Sequence, residues 1–227
     1  MSTRLDTLQA RVYAIVGVNP DKEANGQYGA AHIIVAINTA IRFIVKSAPP
    51  ASLGTLVKTA AHVVAVAPAS GLYFNKDSAT GGRLLSVAKG LSLDDEVEIK
   101  PFVEWIRTAK TENMTTTASD LVTYYATELG RKVYIRPLPP STPTTFVEVY
   151  VDDPDDLVNA AHTMSLPDEW KEWVALLAAQ IIALNASAYE KMTQIQNMMV
   201  GWSAQFKSQY GMNPPTIQAP VAAGKQV

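Results

Sequence analysis

Apolar residues recur along this chain in more than one rhythm. Leu5, Leu8, Val12 and Ile15 stand three and four apart, one stripe of an amphipathic helix that Gly17 and Asn19-Pro20 close. Beyond the polar, glycine-containing stretch 21–28, Ile33, Ile34, Ile37, Ile41, Ile44 and Val45 trace a wide apolar face, and Pro49-Pro50 stop that helix. Helices are therefore predicted at 5–17 and 28–48. A third opens at Ser165-Leu166-Pro167-Asp168-Glu169-Trp170. Pro167 suits the first helical position, where a missing N–H costs nothing, and Asp168 and Glu169 set negative charge at the positive end of the helix dipole. Trp170, Trp173, Val174, Leu177, Ile181 and Leu184 form its stripe, and Met192, Ile195, Met198, Met199, Trp202 and Phe206 continue it. Unbroken, it would run about 40 residues and about 60 Å. Either it bends near 185–187 or at Gly201, or its far end meets a neighbouring subunit.

Between the helices the period falls to two. Val133 and Ile135 alternate with Tyr134 and Arg136, and Pro137, Pro139 and Pro140 end the run, which reads as an edge strand entering a stiff turn. Phe146, Val147, Val149 and Val151 restart β structure, with Glu148 and Tyr150 toward water, so a hairpin is expected. Residues 53–67, rich in Val, Thr and Ala, predict one or two strands. Residues 71–90 carry turn chemistry and read as a hairpin tip or a surface loop. Val97–Ile106 reads as a short strand or as a helix begun after Pro101, 108–119 as a threonine-rich loop, and 121–126 as a strand facing 133–136. The expected class is α+β: an α-helical bundle from 1–50 and 165–210, a mainly β insertion at 51–164, and an extended C-terminal arm at 211–227.

Composition narrows the function. At 227 residues the chain can form one large domain or two small ones. With 19 basic against 21 acidic residues and no Lys/Arg cluster, free-standing nucleic-acid binding is disfavoured. The absence of cysteine removes disulfides and thiolate ligands. No apolar segment opens the chain and no stretch approaches about 20 uncharged apolar residues, so neither secretion nor membrane insertion is expected. His32, His62 and His162 lie far apart in sequence, Gly81-Gly82-Arg83 lacks the spacing of a phosphate-binding loop, and no Gly-x-Ser-x-Gly elbow is present. No catalytic residue, metal or cofactor is expected. Asp152, Asp153, Asp155 and Asp156 lack the glycine and distal glutamate of a calcium loop and read as a solvated loop, or, in a ring around DNA, as an acidic rim that lets the duplex slide. The Met and aromatic residues from Met192 to Phe206 serve equally as core or as an adaptable contact surface.

The order of these elements resembles the head-to-tail adaptor (connector) proteins of tailed bacteriophages, especially those whose short tail is built directly onto the portal. The likeness rests on the strand ending in Pro137-Leu138-Pro139, the second strand, the Leu166-Pro167-acidic helix start, the short N-terminal helix and the Asn38-Thr39-Ala40 centre of the second helix. It covers most of residues 5–210; the segment 71–100 and the long tail stand apart from the family pattern. The resemblance implies a non-enzymatic structural virion protein without cofactor, forming a homo-oligomeric ring, commonly of twelve subunits, in the neck between portal and tail. Its partners would be the portal protein and the tail tube or nozzle proteins, with DNA passing through the lumen without sequence-specific binding. It would be made in the host bacterial cytoplasm. The interface is expected at Met198, Met199, Trp202, Phe206, Pro214, Pro215, Ile217, Pro220 and Val221. The alternatives are another neck, tail-completion or tail-tube component, an unrelated soluble interaction module, or an enzyme built on the acidic loop and His162.

Overall fold

The computed structural model describes residues 3–18, 28–64, 72–75, 82–90, 96–111, 124–136, 144–211 and 213–216. The protein is mixed α and β, in two compact units: Met1–Thr55 with Pro154–Val227, and Leu56–Asp153. Residues 51–55 and 154–164, expected with the strands, thus belong to the helical unit.

In that unit α1 (Leu5–Val16), α2 (Ala30–Ser47), α4 (Lys171–Asn185) and α5 (Tyr189–Tyr210) surround one core. Helix α1 ends as its sequence predicts: Gly17 takes the left-handed conformation at φ 72° and its N–H returns to the Tyr13 carbonyl. Helix α4 is the hub, packing against α1, α2 and α5. Every residue from Trp173 to Gln180 is buried, so α4 presents no one-sided stripe; the alanines between the large side chains let three helices approach it at once. Helix α2 is apolar and long enough, by length and composition, to cross a membrane, with a mean hydropathy of 1.4 over 18 residues. Its Ile33, Ile37, Ile41 and Ile44 are nevertheless buried within this unit.

The helix expected at 166–210 is two helices. It opens with a 3-10 turn, Asp168–Trp170, preceded by Pro167 in extended conformation, and the Trp170 indole N–H donates to the Ser52 carbonyl at 2.7 Å. It breaks at Ala186–Ala188, where Ser187 adopts φ 54°. That break turns α5 back along α4, so that Met192, Ile195, Met199 and Phe206 are buried inside their own chain. Most of the apolar excess that suggested a neighbouring subunit is spent on this antiparallel pair.

The second unit is a seven-stranded, barrel-like sheet with one helix: β1 (Val57–Val64), β2 (Leu72–Asn75), β3 (Arg83–Lys89), β4 (Glu96–Ile99), α3 (Phe102–Thr111), β5 (Tyr125–Leu129), β6 (Lys132–Arg136) and β7 (Thr144–Val151), in the order β1-β7-β3-β4-β5-β6-β2. Strands β4 and β5 are parallel, a pairing that needs a crossover, and the connection contains α3. The ends of the sheet meet through the stacked rings of His62 and Phe74, 4.2 Å apart.

Three expectations are corrected here. The strands 133–136 and 146–151 do not form a hairpin: β6 lies between β5 and β2, and β7 between β1 and β3. Strand β7 buries Phe146, Val147, Glu148, Tyr150 and Val151 on both faces, and it is an interior strand paired with β1 on one edge and β3 on the other. Glu148 and Tyr150 accordingly lie inside the sheet rather than toward water. Residues 71–90 contain two strands, β2 and β3, which pair with β6 and with β4 and β7 rather than with each other. The 97–106 segment forms both alternatives, strand β4 and then helix α3. The strand facing 133–136 is present as β5, shifted to Tyr125–Leu129, and the helix α3 runs into the expected loop as far as Thr111. The turn 137–143, the segment 112–123 and the loop 19–27 lie outside the described residues.

Candidate assembly surface and the loop that frames it

A ladder of five rings runs where α4 begins and α5 ends. Trp202, Phe206 and Tyr210, one turn apart, share a face of α5. The Trp202 ring stacks on Trp173 at 4.8 Å, Phe206 lies 4.7 Å from Trp170 and 5.2 Å from Trp202, and Tyr210 lies 4.6 Å from Phe206. Burial, with the Glu169 carboxylate nearby, raises the pKa of the Tyr210 hydroxyl. The Trp173 indole N–H donates to the Pro215 carbonyl at 3.0 Å, and Pro214 is buried. The first residues of the expected free arm are therefore seated on their own chain, because an indole N–H inside an apolar seam needs an acceptor.

This arrangement divides the nine expected interface residues. Met199, Phe206 and Pro214 are buried, Trp202 and Pro215 are half-buried, and Met198 is 42% exposed. Ile217, Pro220 and Val221 lie outside the described residues. The sequence pattern did not single out Tyr189 and Val200, 72% and 68% exposed, which lie three turns apart on one flank of α5 while Met198 lies on the other. Their signal was present as apolar residues off the buried stripe.

The loop from Pro154 to Pro167 is held at both ends. One turn apart on α2, Asn38 and Arg42 grip it: the Asn38 amide donates to the Leu157 carbonyl at 3.1 Å and accepts the Leu157 N–H at 3.0 Å, and Arg42 makes two 2.8 Å contacts with the Asp156 carboxylate. Residues 3–5 run alongside its other end, with the Met164 N–H donating to the Thr3 carbonyl and the Leu5 N–H to the His162 carbonyl. The Thr3 hydroxyl donates to the Asp168 carboxylate at 2.6 Å, which lowers the pKa of that carboxyl.

Two members of the acidic run face basic side chains. Asp152 faces Lys58 at 2.5 Å and Asp156 faces Arg42, so lysine and arginine already supply their positive charge. Among the described residues no three His, Cys, Asp or Glu side chains converge. His162 turns back on its own loop, its Nδ1 accepting from the Val158 N–H at 3.3 Å and its Nε2 2.6 Å from the Asn159 amide nitrogen. A groove of about 1020 Å³ opens beside it, lined in part by Gly54, Asp155, Leu157, His162, Met164 and Pro167. Gly54 is required there twice over: its φ is 57°, and a Cβ would lie 3.0 Å from the Pro167 ring. In the sheet unit, periodicity gave no warning that His62 and Glu148 would meet. The His62 Nε2 lies 2.9 Å from a Glu148 carboxylate oxygen, and Glu148 is fully buried. Their partnership follows from the β1–β7 register, which only the assembled sheet fixes.

No protein-family model matches the chain, and no curated protein sequence matches it either.

Proposed function

We propose that the chain is a structural protein of a phage virion, a head-to-tail adaptor whose copies assemble into a ring below the portal. The reading starts from the resemblance in element order. In it the helical unit is the bundle that packs around the ring, the sheet unit is the β insertion, and the residues after Thr216 are the arm that docks on the portal or on an adjacent subunit. Twelve copies, contacts with tail tube or nozzle proteins, and DNA passing through the lumen are carried over with the family.

One observation supports it most. Helix α5 spans 22 residues, has its inner face filled by its own chain, and still exposes Tyr189, Met198 and Val200. Exposed apolar side chains flanking a helix that is already packed suit lateral contact between copies. A tail-tube component should be β-dominated, whereas helix outweighs strand among the described residues.

The test is quantitative mass spectrometry of purified virus particles from the source, with copy number taken relative to the portal protein. Equal copies are expected. Absence from the particles overturns the assignment. Ending the chain after Thr216 tests the arm separately, since it leaves the Pro215 contact with Trp173 in place: assembly should fail while the folded monomer survives.

A further inference from the structure

The outward face of β6 carries Lys132, Tyr134 and Arg136, because Val133 and Ile135 fill the core on the other side. The register places Tyr73 of β2 directly beside Tyr134, and Tyr125 of β5 beside Arg136. Helix α3 adds Trp105, whose indole N–H reaches the Tyr125 carbonyl. The rings form a row: Tyr73 lies 5.6 Å from Tyr134, and Tyr134 lies 6.3 Å from Trp105.

Three cations here are set over rings. The Lys132 ammonium stands 3.9 Å from the Tyr73 centroid, the Arg136 guanidinium 4.7 Å from Trp105, and the Lys100 ammonium 4.3 Å from Tyr125. Stacking fixes the charge in place while leaving N–H donors at its edge. Glu98, 3.7 Å from Lys100, is an acidic neighbour. Tyr73, Tyr125, Lys132, Tyr134 and Arg136 are all half-buried, so the platform is accessible and yet preorganised.

We propose that this face binds single-stranded nucleic acid. Two features select that occupant over a generic anion. Lys132 and Arg136 are four residues apart on one strand, about 13 Å along it, so they reach different phosphates of one backbone. Tyr134 lies between them and offers a ring on which a base can stack, the combination of cationic track and aromatic platform that single strands use. A duplex keeps its bases stacked inside and cannot use the rings. The chain's balanced charge conceals the site, since its cations come from two segments far apart in sequence, Lys100 after β4 and Lys132 with Arg136 on β6. The inference is independent of the virion role.

The experiment titrates the full chain into a fluorescein-labelled oligothymidylate of about 20 nucleotides, longer than the largest usual site of about 16, and follows anisotropy in about 50 mM salt. Binding is expected, with a logarithmic salt slope of about −2, near −0.7 for each of three phosphate contacts. Tyr134→Ala should weaken it at least fivefold, as loss of one stacked base does, whereas Tyr134→Phe should retain it. Lys132→Gln and Arg136→Gln should each weaken it and flatten the salt slope. Four results overturn the proposal: no binding; equal affinity for a duplex of the same length; equal displacement by polyglutamate at matched charge, which would assign the face to an acidic protein; or unchanged affinity in Tyr134→Ala. Should that variant fail to fold, the two glutamine variants decide, and unchanged affinity in both overturns the site.

Discussion

Replacing Asn38 by alanine separates two ways of holding the same loop. The Asn38 amide makes both hydrogen bonds to the Leu157 backbone, and Leu157 is only 2% exposed. Alanine removes two bonds worth about 0.5–1.5 kcal/mol each and leaves a shielded N–H and C=O short of partners, so about 2–4 kcal/mol is expected in all. The neighbouring Arg42–Asp156 pair has better charge and two short contacts, but its side chains are 54% and 45% exposed. Solvent screening confines Arg42→Ala to about 0–1 kcal/mol. At about 3 °C per kcal/mol, Asn38→Ala should lower the melting temperature of the helical unit by about 6–12 °C, and Arg42→Ala by no more than about 3 °C. Asn38→Asp should fall between them, because a carboxylate still accepts the Leu157 N–H but offers nothing to its carbonyl. Differential scanning calorimetry, with the transitions of the two units resolved, provides the measurement. If Arg42→Ala proves as costly as Asn38→Ala, the neutral amide is not the clamp, and the argument that shielding outweighs charge is wrong for this loop.

Other consequences follow from local geometry. Ser187 holds φ 54° in the break between α4 and α5, a conformation that costs an L-residue about 1–2 kcal/mol. Ser187→Gly should therefore raise the unfolding free energy by up to about 1 kcal/mol after glycine's entropic penalty, read by chemical denaturation; a lower value would refute strain there. Trp202→Ala deletes the ring between Trp173 and Phe206 and should cost about 3 kcal/mol in chemical denaturation, with loss of near-ultraviolet ellipticity; a cost below about 1 kcal/mol would show the ladder to be incidental. The Thr3 hydroxyl lowers the Asp168 pKa, so its contribution is complete above the unfolded value of about 3.9 and is lost as pH falls through the lower folded value. Thr3→Val should thus be less stable than the parent at neutral pH and converge with it on acidification; a gap constant with pH would sink this account.

Helix placement was legible in the sequence because the cues are local. Gly17 and Pro49-Pro50 mark ends that a few neighbouring residues determine, and the break near 185–187 was one of the alternatives that the length argument left open, beside a bend at Gly201 or contact with a neighbouring subunit. Sheet order was not legible. The expectation of a hairpin across Pro137–Pro140 assumed that strands adjacent in sequence pair, whereas β6 and β7 occupy separate positions in the sheet. Strand β7 is interior to the sheet and buried on both faces, and the alternation of Phe146–Val151 looks one-sided only while Glu148 and Tyr150 are assumed to seek water. Glu148 is instead buried against His62, a partner 86 residues away in sequence.

Site features divide along the same line, between local periodicity and non-local register. The Met and aromatic run was visible as a helical stripe, and its ambiguity between core and contact surface resolves residue by residue. Met199 and Phe206 are core, while Met198 joins Tyr189 and Val200 at the flanks of α5. Asn38 entered as part of a sequence pattern, and the structure supplies a physical need for it: no other uncharged side chain of its length both donates to and accepts from one peptide unit. The opposite holds for Lys100, Lys132 and Arg136. A search for clustered positive charge passes over them, since Lys100 follows β4 and the other two alternate with apolar residues. They converge because the β5–β6 register sets Arg136 beside Tyr125, with Lys100 over that tyrosine's ring. Shifting β6 by one residue would turn Lys132, Tyr134 and Arg136 into the core, and the burial of Val133 and Ile135 opposes that slip. The same packing that stabilises the sheet therefore holds the cationic and aromatic side chains on its outer face.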